Sequence, residues 1–130
     1  MDVLQKKRIF AEINNVMNMI KDFAQLSEML KAKHNTYRIV AIEANDEHTR
    51  EALCRAESEG WAKVTYIHEE TPEDSAAKAV ALVREGQADV IMKGLVNTDV
   101  VLRAILNKQN GILPKGGTLT HISAMKVPTY

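Results

Sequence analysis

The sequence predicts an α/β protein, with a parallel sheet covered by helices on both faces and a helical segment in front of it. Three short runs rich in β-branched residues alternate with stretches whose apolar residues recur every three or four positions. This alternation is typical of right-handed crossover units, which build parallel sheets in three layers. With 130 residues, the chain has the size of one domain with its own core.

The helical segment is predicted from Val3 to Leu30. Its apolar residues, among them Ile9, Ile13 and Phe23, are spaced by three and four positions. This is the helical period, so we expect one long helix or two consecutive helices. The basic run Lys6 to Arg8 within it is expected to be a solvated helix face.

The first strand is predicted from Tyr37 to Glu43, because this run has the length and β-branching of a largely buried strand. Asn45 or Asp46 can cap the helix that follows it. We expect that helix to end at about Glu59, with Gly60 as its stop.

A second unit begins with a strand from Ala62 to His68. Thr71 can cap the next helix, which has Pro72 at its first position and ends at Gly86. The third strand is predicted from Ala88 to Met92. Beyond it the predicted elements are a helix from about Thr98 to Lys108, a loop over Gly111 to Gly117 and an extended segment from Thr118 to Val127.

Composition excludes several classes of partner. Seventeen basic and seventeen acidic residues leave no net charge to draw the chain onto nucleic acid or an anionic membrane. No apolar run approaches the roughly 20 residues that span a bilayer. The single Cys54, expected to be a buried structural thiol facing inward with Leu53 and Ala56, favours a reducing compartment. We therefore expect a cytoplasmic protein with small-molecule ligands.

The segment from Ala88 to Asp99, ADVIMKGLVNTD, is the most informative stretch. The predicted strand is followed by Lys93 and Gly94 and then by a new helix. In α/β proteins, anionic ligands bind at such junctions between a strand and a helix. Gly94 permits close backbone approach, and the amides near Asn97 and Thr98 precede a helix whose dipole favours anions. The segment predicts a phosphate site.

A purely structural interpretation of the same segment stays open. Thr98 can serve as an N-cap, and Asp99 in the first turn satisfies the helix dipole without any ligand. Arg103 lies one helical turn and a residue beyond Thr98, so its guanidinium can reach back toward the predicted phosphate site at the start of the helix. A solvated arginine is the commoner outcome, although arginine suits bidentate phosphate contact.

Other ligand motifs are weaker. No G-x-G-x-x-G follows a predicted strand, and the glycine-rich run Gly111 to Thr118 has Gly117 where a P-loop needs lysine. No metal site is predicted, because three histidines lie in separate contexts without ligand spacing: His34, His48 and His68.

His121 and Ser123 alternate along the predicted final strand, so both would face one side of it. They are candidates for a common cleft. A catalytic pair is disfavoured, because side chains two apart on a strand point in parallel and no acid is evident.

Three segments together resemble the phosphate acetyl/butyryl transferase family, and its butyryl branch more closely. They are ADVIMKGLVNTDVVLRAILN, the following GILPKGGTLTHISAMKVP and, more weakly, RIVAIEANDEHTREAL. The resemblance implies reversible acyl transfer between CoA and inorganic phosphate, with acyl-CoA as substrate and no tightly bound cofactor or metal. It also implies two α/β domains with the isocitrate and isopropylmalate dehydrogenase-like fold, assembled at least as a dimer.

The resemblance also implies site residues. Those expected to line the phosphate or CoA side of a cleft are Lys93, Gly94, Asn97, Thr98 and Arg103, with His121 and Ser123 nearby. The family's catalytic acid and its serine-arginine pair belong to a later motif that these 130 residues do not contain, so the catalytic residues stay unassigned.

We therefore expect residues 1–130 to be the N-terminal α/β domain of a two-domain enzyme, inactive alone. Two alternatives stay open: a stand-alone anion-binding or regulatory module, and a domain related to decarboxylating dehydrogenases. The second is disfavoured, because the sequence lacks arginine- and aspartate-rich substrate motifs.

Overall fold

The structure, a computed structural model, describes residues 2–19 and 21–128, with side chains described for 2–13 and 21–128. It divides into two compact units. One comprises Met1–His34 with Ile122–Tyr130, and the other comprises Asn35–His121.

The first unit contains two consecutive helices, as the spacing of apolar residues predicts. They are α1 (Val3–Met19) and α2 (Phe23–Ala32). The Asp22 side chain caps α2 by accepting a hydrogen bond from the Gln25 amide at 2.8 Å. The basic run at residues 6–8 is exposed, which confirms that it is a solvated helix face.

The second unit alternates strands and helices, as predicted. Its strands form one parallel sheet in the order β2, β1, β3. The elements in chain order are β1 (Tyr37–Ile42), α3 (Glu47–Ser58), β2 (Ala62–Ile67), α4 (Pro72–Arg84), β3 (Val90–Lys93) and α5 (Thr98–Ile105).

Two apolar clusters place helices on both faces of this sheet. Along central β1, Val40 and Ile42 pack in a cluster that includes residues of α4 and α5. Ile39 and Ala41 point to the other face and pack with residues of α3. Because successive side chains of a strand alternate, one buried strand supplies both cores.

The predicted helix boundaries hold where local signals set them. Asp46 caps α3 by accepting from the Thr49 amide, and Thr71 caps α4, which starts at Pro72. After these two helices Gly60 and Gly86 adopt φ values of +82° and +75°. Glycine reaches this left-handed region without steric cost, so both glycines end their helices as expected.

The last crossover differs in detail from the prediction. β3 begins at Val90, two residues late, and the N-cap of α5 is Asn97. α5 ends at Ile105, because the Asn107 side chain accepts hydrogen bonds from the amides of Gln109 and Asn110, both at 2.9 Å. These bonds replace helical ones with a turn.

Two expectations are wrong. The segment from Thr118 to Val127 forms no strand in the described residues, because local β propensity needs a ladder partner to become a strand. Cys54 is exposed, because a helix rotates it away from the face that buries Leu53 and Ala56.

A bidentate ion pair joins the amino-terminal ends of β1 and β3. The Arg38 guanidinium donates from Nε and Nη2 to the two carboxylate oxygens of Asp89, at 3.1 and 2.9 Å. Its Nη1 donates to the Gly86 carbonyl at 2.7 Å. The bond from Arg38 lowers the pKa of Asp89 from 3.8 to about 2.

This pair predicts acid sensitivity of a defined sign. A carboxyl whose pKa is lowered by folding stabilises the fold fully above its unfolded pKa and loses that contribution as pH falls through the folded value. The free energy of unfolding should therefore decline between pH 3.8 and about 2. Asp89→Asn should remove this part of the decline, whereas Arg38→Met should only reduce it, because the residue 38 amide still donates to Asp89 Oδ2. If urea unfolding of Asp89→Asn shows the same pH dependence as wild type, the assignment is wrong.

Candidate functional site

The carboxyl ends of the three strands lie in register at one edge of the sheet. Ile42 is paired with Ile67 on one side and with Lys93 on the other. The residues that follow continue this alignment, because the Glu43 amide donates to the Ile67 carbonyl at 3.0 Å and the Gly94 amide to Ile42 at 2.8 Å. This carboxyl edge is where open α/β sheets bind ligands.

Gly94 lies against the end of β1. A Cβ at this position would stand 2.4 Å from the Glu43 carbonyl oxygen and 2.8 Å from Ala44 Cα. The close backbone approach expected of this glycine is therefore present, and its partner in the structure is the protein's own central strand.

The Lys93 amine folds over the loop that it begins. Nζ donates to the Val96 carbonyl at 3.1 Å and reaches the Gly94 carbonyl at 3.4 Å. These contacts hold the Lys93 amine at the edge of the sheet. Because the acceptors are neutral backbone carbonyls, they do not neutralise its positive charge.

The residues at the start of α5 are exposed. Asn97 takes the N-cap position but makes no side-chain cap hydrogen bond, and both Asn97 and Thr98 are exposed. Arg103 does reach back toward this end of the helix, where Nη2 lies 3.2 Å from Asp99 Oδ2. The Arg103 side chain is 81% exposed, so this ion pair leaves most of the guanidinium accessible.

In the described residues, the strand predicted to carry His121 and Ser123 is not formed. Without a strand over Thr118 to Val127, the alternation that would place them on one face is absent. His121 belongs to the unit of the sheet, whereas Ser123 belongs to the other unit.

A polar cluster at the carboxyl edge was not predicted. The Glu43 carboxylate accepts from Ser75 Oγ at 2.5 Å through Oε1 and pairs with His68 Nδ1 at 2.6 Å through Oε2. Glu43 is 7% exposed and Ser75 is fully buried, whereas the His68 side chain is 72% exposed. A buried carboxylate thus holds an accessible imidazole.

The partners of the Ser75 hydroxyl determine which of its hydrogen bonds it donates and which it accepts. Its Oγ accepts from the Glu69 amide at 2.9 Å and donates to Glu43. The bond from Ser75, followed by that from His68, lowers the pKa of Glu43 despite burial. Glu43 is therefore a carboxylate, which is an acceptor only.

Glu43 also carries backbone strain. Its φ is +52°, a conformation that costs a residue with a Cβ on the order of 1–2 kcal/mol. Strain of this kind persists where surrounding contacts fix it, and it is concentrated at functional sites.

A second cation, Arg50, lies beside the cluster. Its Nε donates to the Ala44 carbonyl at 2.8 Å, and its guanidinium stands 4.8 Å from the centre of the Tyr66 ring. Within residues 2–19 and 21–128, no three His, Cys, Asp or Glu side chains are placed to hold a metal ion. No helix among these residues is long and apolar enough to cross a membrane.

Known proteins resemble this chain over most of its length. It is 43% identical over 68 residues to a probable phosphate butyryltransferase of Bacillus subtilis, covering 52% of this chain and 22% of that protein. With the phosphate butyryltransferase of Clostridium acetobutylicum, identity is 32% over 135 aligned positions, covering 86% and 44%. The chain is a homologue of these transferases.

A phosphate acetyltransferase of Thermotoga maritima is 29% identical over 128 residues, covering 82% of this chain and 42% of that protein. The chain thus spans less than half the length of these relatives. No family model matches it.

Gly94→Ala should lower the free energy of unfolding by about 1–3 kcal/mol, because the added methyl must push β3's loop away from β1. Gly86→Asn is the control for a side chain that meets no close contact: nothing lies within 4 Å of the position, and its φ of +75° should cost asparagine about 1 kcal/mol. Urea unfolding compares each variant with wild type; a loss below about 1 kcal/mol in Gly94→Ala would show that the close contact has little energetic weight.

Ser75→Ala should destabilise the fold by about 1–3 kcal/mol, because the buried Glu43 carboxylate and the part-buried Glu69 amide each lose a hydrogen bond. Exposed Ser58→Ala, which removes a hydroxyl bonded to the Arg55 carbonyl, is the control. The Glu43 pKa should also rise toward 4.5. Since a lowered pKa stabilises above the unfolded value, the variant should lose less stability than wild type as pH falls below 4.5.

Proposed function

We propose that this chain is the N-terminal α/β domain of a two-domain phosphate acyltransferase of the butyryl type. The enzyme would transfer an acyl group reversibly between CoA and inorganic phosphate. The observation that carries the proposal is the match to the Clostridium acetobutylicum phosphate butyryltransferase over 86% of the chain. The cations and the exposed start of α5 at the carboxyl edge support it.

The reaction requires a bound and positioned phosphate, which the carboxyl edge of the sheet can provide. In the direction of acyl phosphate, a phosphate oxygen bonds to the carbonyl carbon, the bond from carbon to the CoA sulfur breaks, and the proton given up by hydrogen phosphate ends on the sulfur. Holding the phosphate in position for this attack requires cationic and amide donors.

We assign the phosphate or CoA side of the cleft to the edge residues. The Lys93 amine supplies a cation, Gly94 permits the tight turn, and the Asn97 and Thr98 region supplies amides at a helix start. Arg103 supplies a bidentate donor. His121 and Ser123 remain proposed neighbours of this site on the strength of the family resemblance alone.

We also propose the substrates, the location and the assembly of the enzyme. CoA and acyl-CoA are substrates, no cofactor is tightly bound, and the enzyme is cytoplasmic and at least a dimer, with no nucleic-acid or membrane partner. The 130-residue chain is inactive alone, because the catalytic groups of the transfer lie in the second domain.

An assay of CoA release from butyryl-CoA and phosphate tests the proposal in the complete two-domain enzyme and in this chain. Turnover by the complete enzyme and none by the chain is expected. If the chain binds phosphate but the complete protein shows no turnover, the chain is instead an anion-binding or regulatory module. Oxidation coupled to a nicotinamide would favour the dehydrogenase alternative.

Arg103→Ala should raise the KM for phosphate or CoA about tenfold in the complete enzyme, because a charge-assisted contact is lost. Stability should change little, since the side chain is 81% exposed. Arg55→Ala is the matched control, because Arg55 is also exposed and pairs with Glu59 one helical turn away. Equal kinetics in the two variants would make Arg103 a surface residue.

A further inference from the structure

We propose that His68 contacts the phosphate substrate and selects hydrogen phosphate over sulfate, with Glu43 and Ser75 as its positioning residues. The inference rests on the proposed function for the identity of the anion. It depends on one chemical difference between the two anions: hydrogen phosphate carries a P–OH donor at neutral pH, and sulfate has no proton to donate.

The tautomer of His68 follows from its partner. Glu43 is a carboxylate that only accepts, so the 2.6 Å contact with Nδ1 requires the proton to be on Nδ1. Nε2 of the neutral ring then carries a lone pair. It accepts a hydrogen bond from P–OH and repels the unprotonated oxygens of sulfate.

The ring is presented at the proposed site. His68 directly follows β2, and Gly94 directly follows β3, so the two flank Glu43 at the end of the central strand. The ring is 72% exposed while the carboxylate behind it is 10% exposed. The arrangement orients a nitrogen outward and keeps its acidic partner away from an anion.

Two acidic groups near the ring have ion-pair or hydrogen-bond partners. Glu69, next to His68 in the chain, is neutralised by Lys78, with Nζ 2.5 Å from Oε1. The Glu43 charge is satisfied by the ring and by Ser75. On the other side of the central strand, the Lys93 amine is bonded to backbone carbonyls, so its charge favours an anion at this edge.

Glu43→Gln gives the sharpest test, because it reverses the tautomer without removing the side chain. The amide can still accept from Ser75 through its oxygen, and its NH₂ group donates to Nδ1. The proton then moves to Nε2, which becomes a donor. Ring ¹⁵N chemical shifts report this change directly.

The experiment titrates the 130-residue chain with inorganic phosphate and with sulfate, following the ring of His68 and the Gly94 amide by NMR. The titrations are run where the ring ¹⁵N chemical shifts of wild type show that Nε2 carries no proton. Wild type should bind phosphate about tenfold more tightly than sulfate, the scale of one hydrogen bond to a polar site. Glu43→Gln and His68→Phe should abolish this preference.

His48→Phe, which removes an exposed histidine of α3, is the control and should keep the preference. Equal binding of the two anions by wild type, binding of neither, or an unchanged preference in Glu43→Gln with its tautomer reversed would overturn the proposal. Backbone amide spectra verify that each variant is folded. Because no acyl transfer is measured, failure of CoA release in the complete enzyme would refute the proposed function and leave this result standing.

Discussion

The buried carboxylate of Glu43 constrains the carboxyl edge of the sheet more than any other group. An ionised carboxyl is expensive to bury unless hydrogen bonds replace the water that it loses. Here the replacements come from α4 through Ser75 and from the end of β2 through His68. Gly94 closes the opposite side by packing against the Glu43 carbonyl. Three chain segments are therefore fixed around one residue.

Most of the fold could be predicted because the deciding signals are local. Caps at Asp46 and Thr71, and glycines after the helices, act within a few residues of themselves. The errors arise where a non-local partner or a competing local bond decides. The Thr118 to Val127 pattern has β propensity but finds no ladder in the described residues, and the side chain of Asn107 ends α5 early.

The residues of the candidate site also divide into those with a local sequence signal and those without one. Lys93, Gly94 and Asn97 could be found because a strand, a glycine and a helix start are contiguous in the chain. Glu43 and His68 are 25 residues apart, so no ligand spacing reveals them. Only the parallel register, which pairs Ile42 with Ile67, places the following residues side by side. A glutamate directly after the buried apolar residues 39–42 was the available signal.

The chemistry offered at this edge depends on a residue that lies behind it. An imidazole is a donor or an acceptor at Nε2 according to what Nδ1 bonds. Because Glu43 is held ionised by Ser75, the neutral ring must present a lone pair outward. The strained φ of +52° at Glu43 then has a consequence: a relaxed backbone would aim the carboxylate elsewhere and release the ring. The conformation of one buried residue thus fixes which protons the exposed surface can accept.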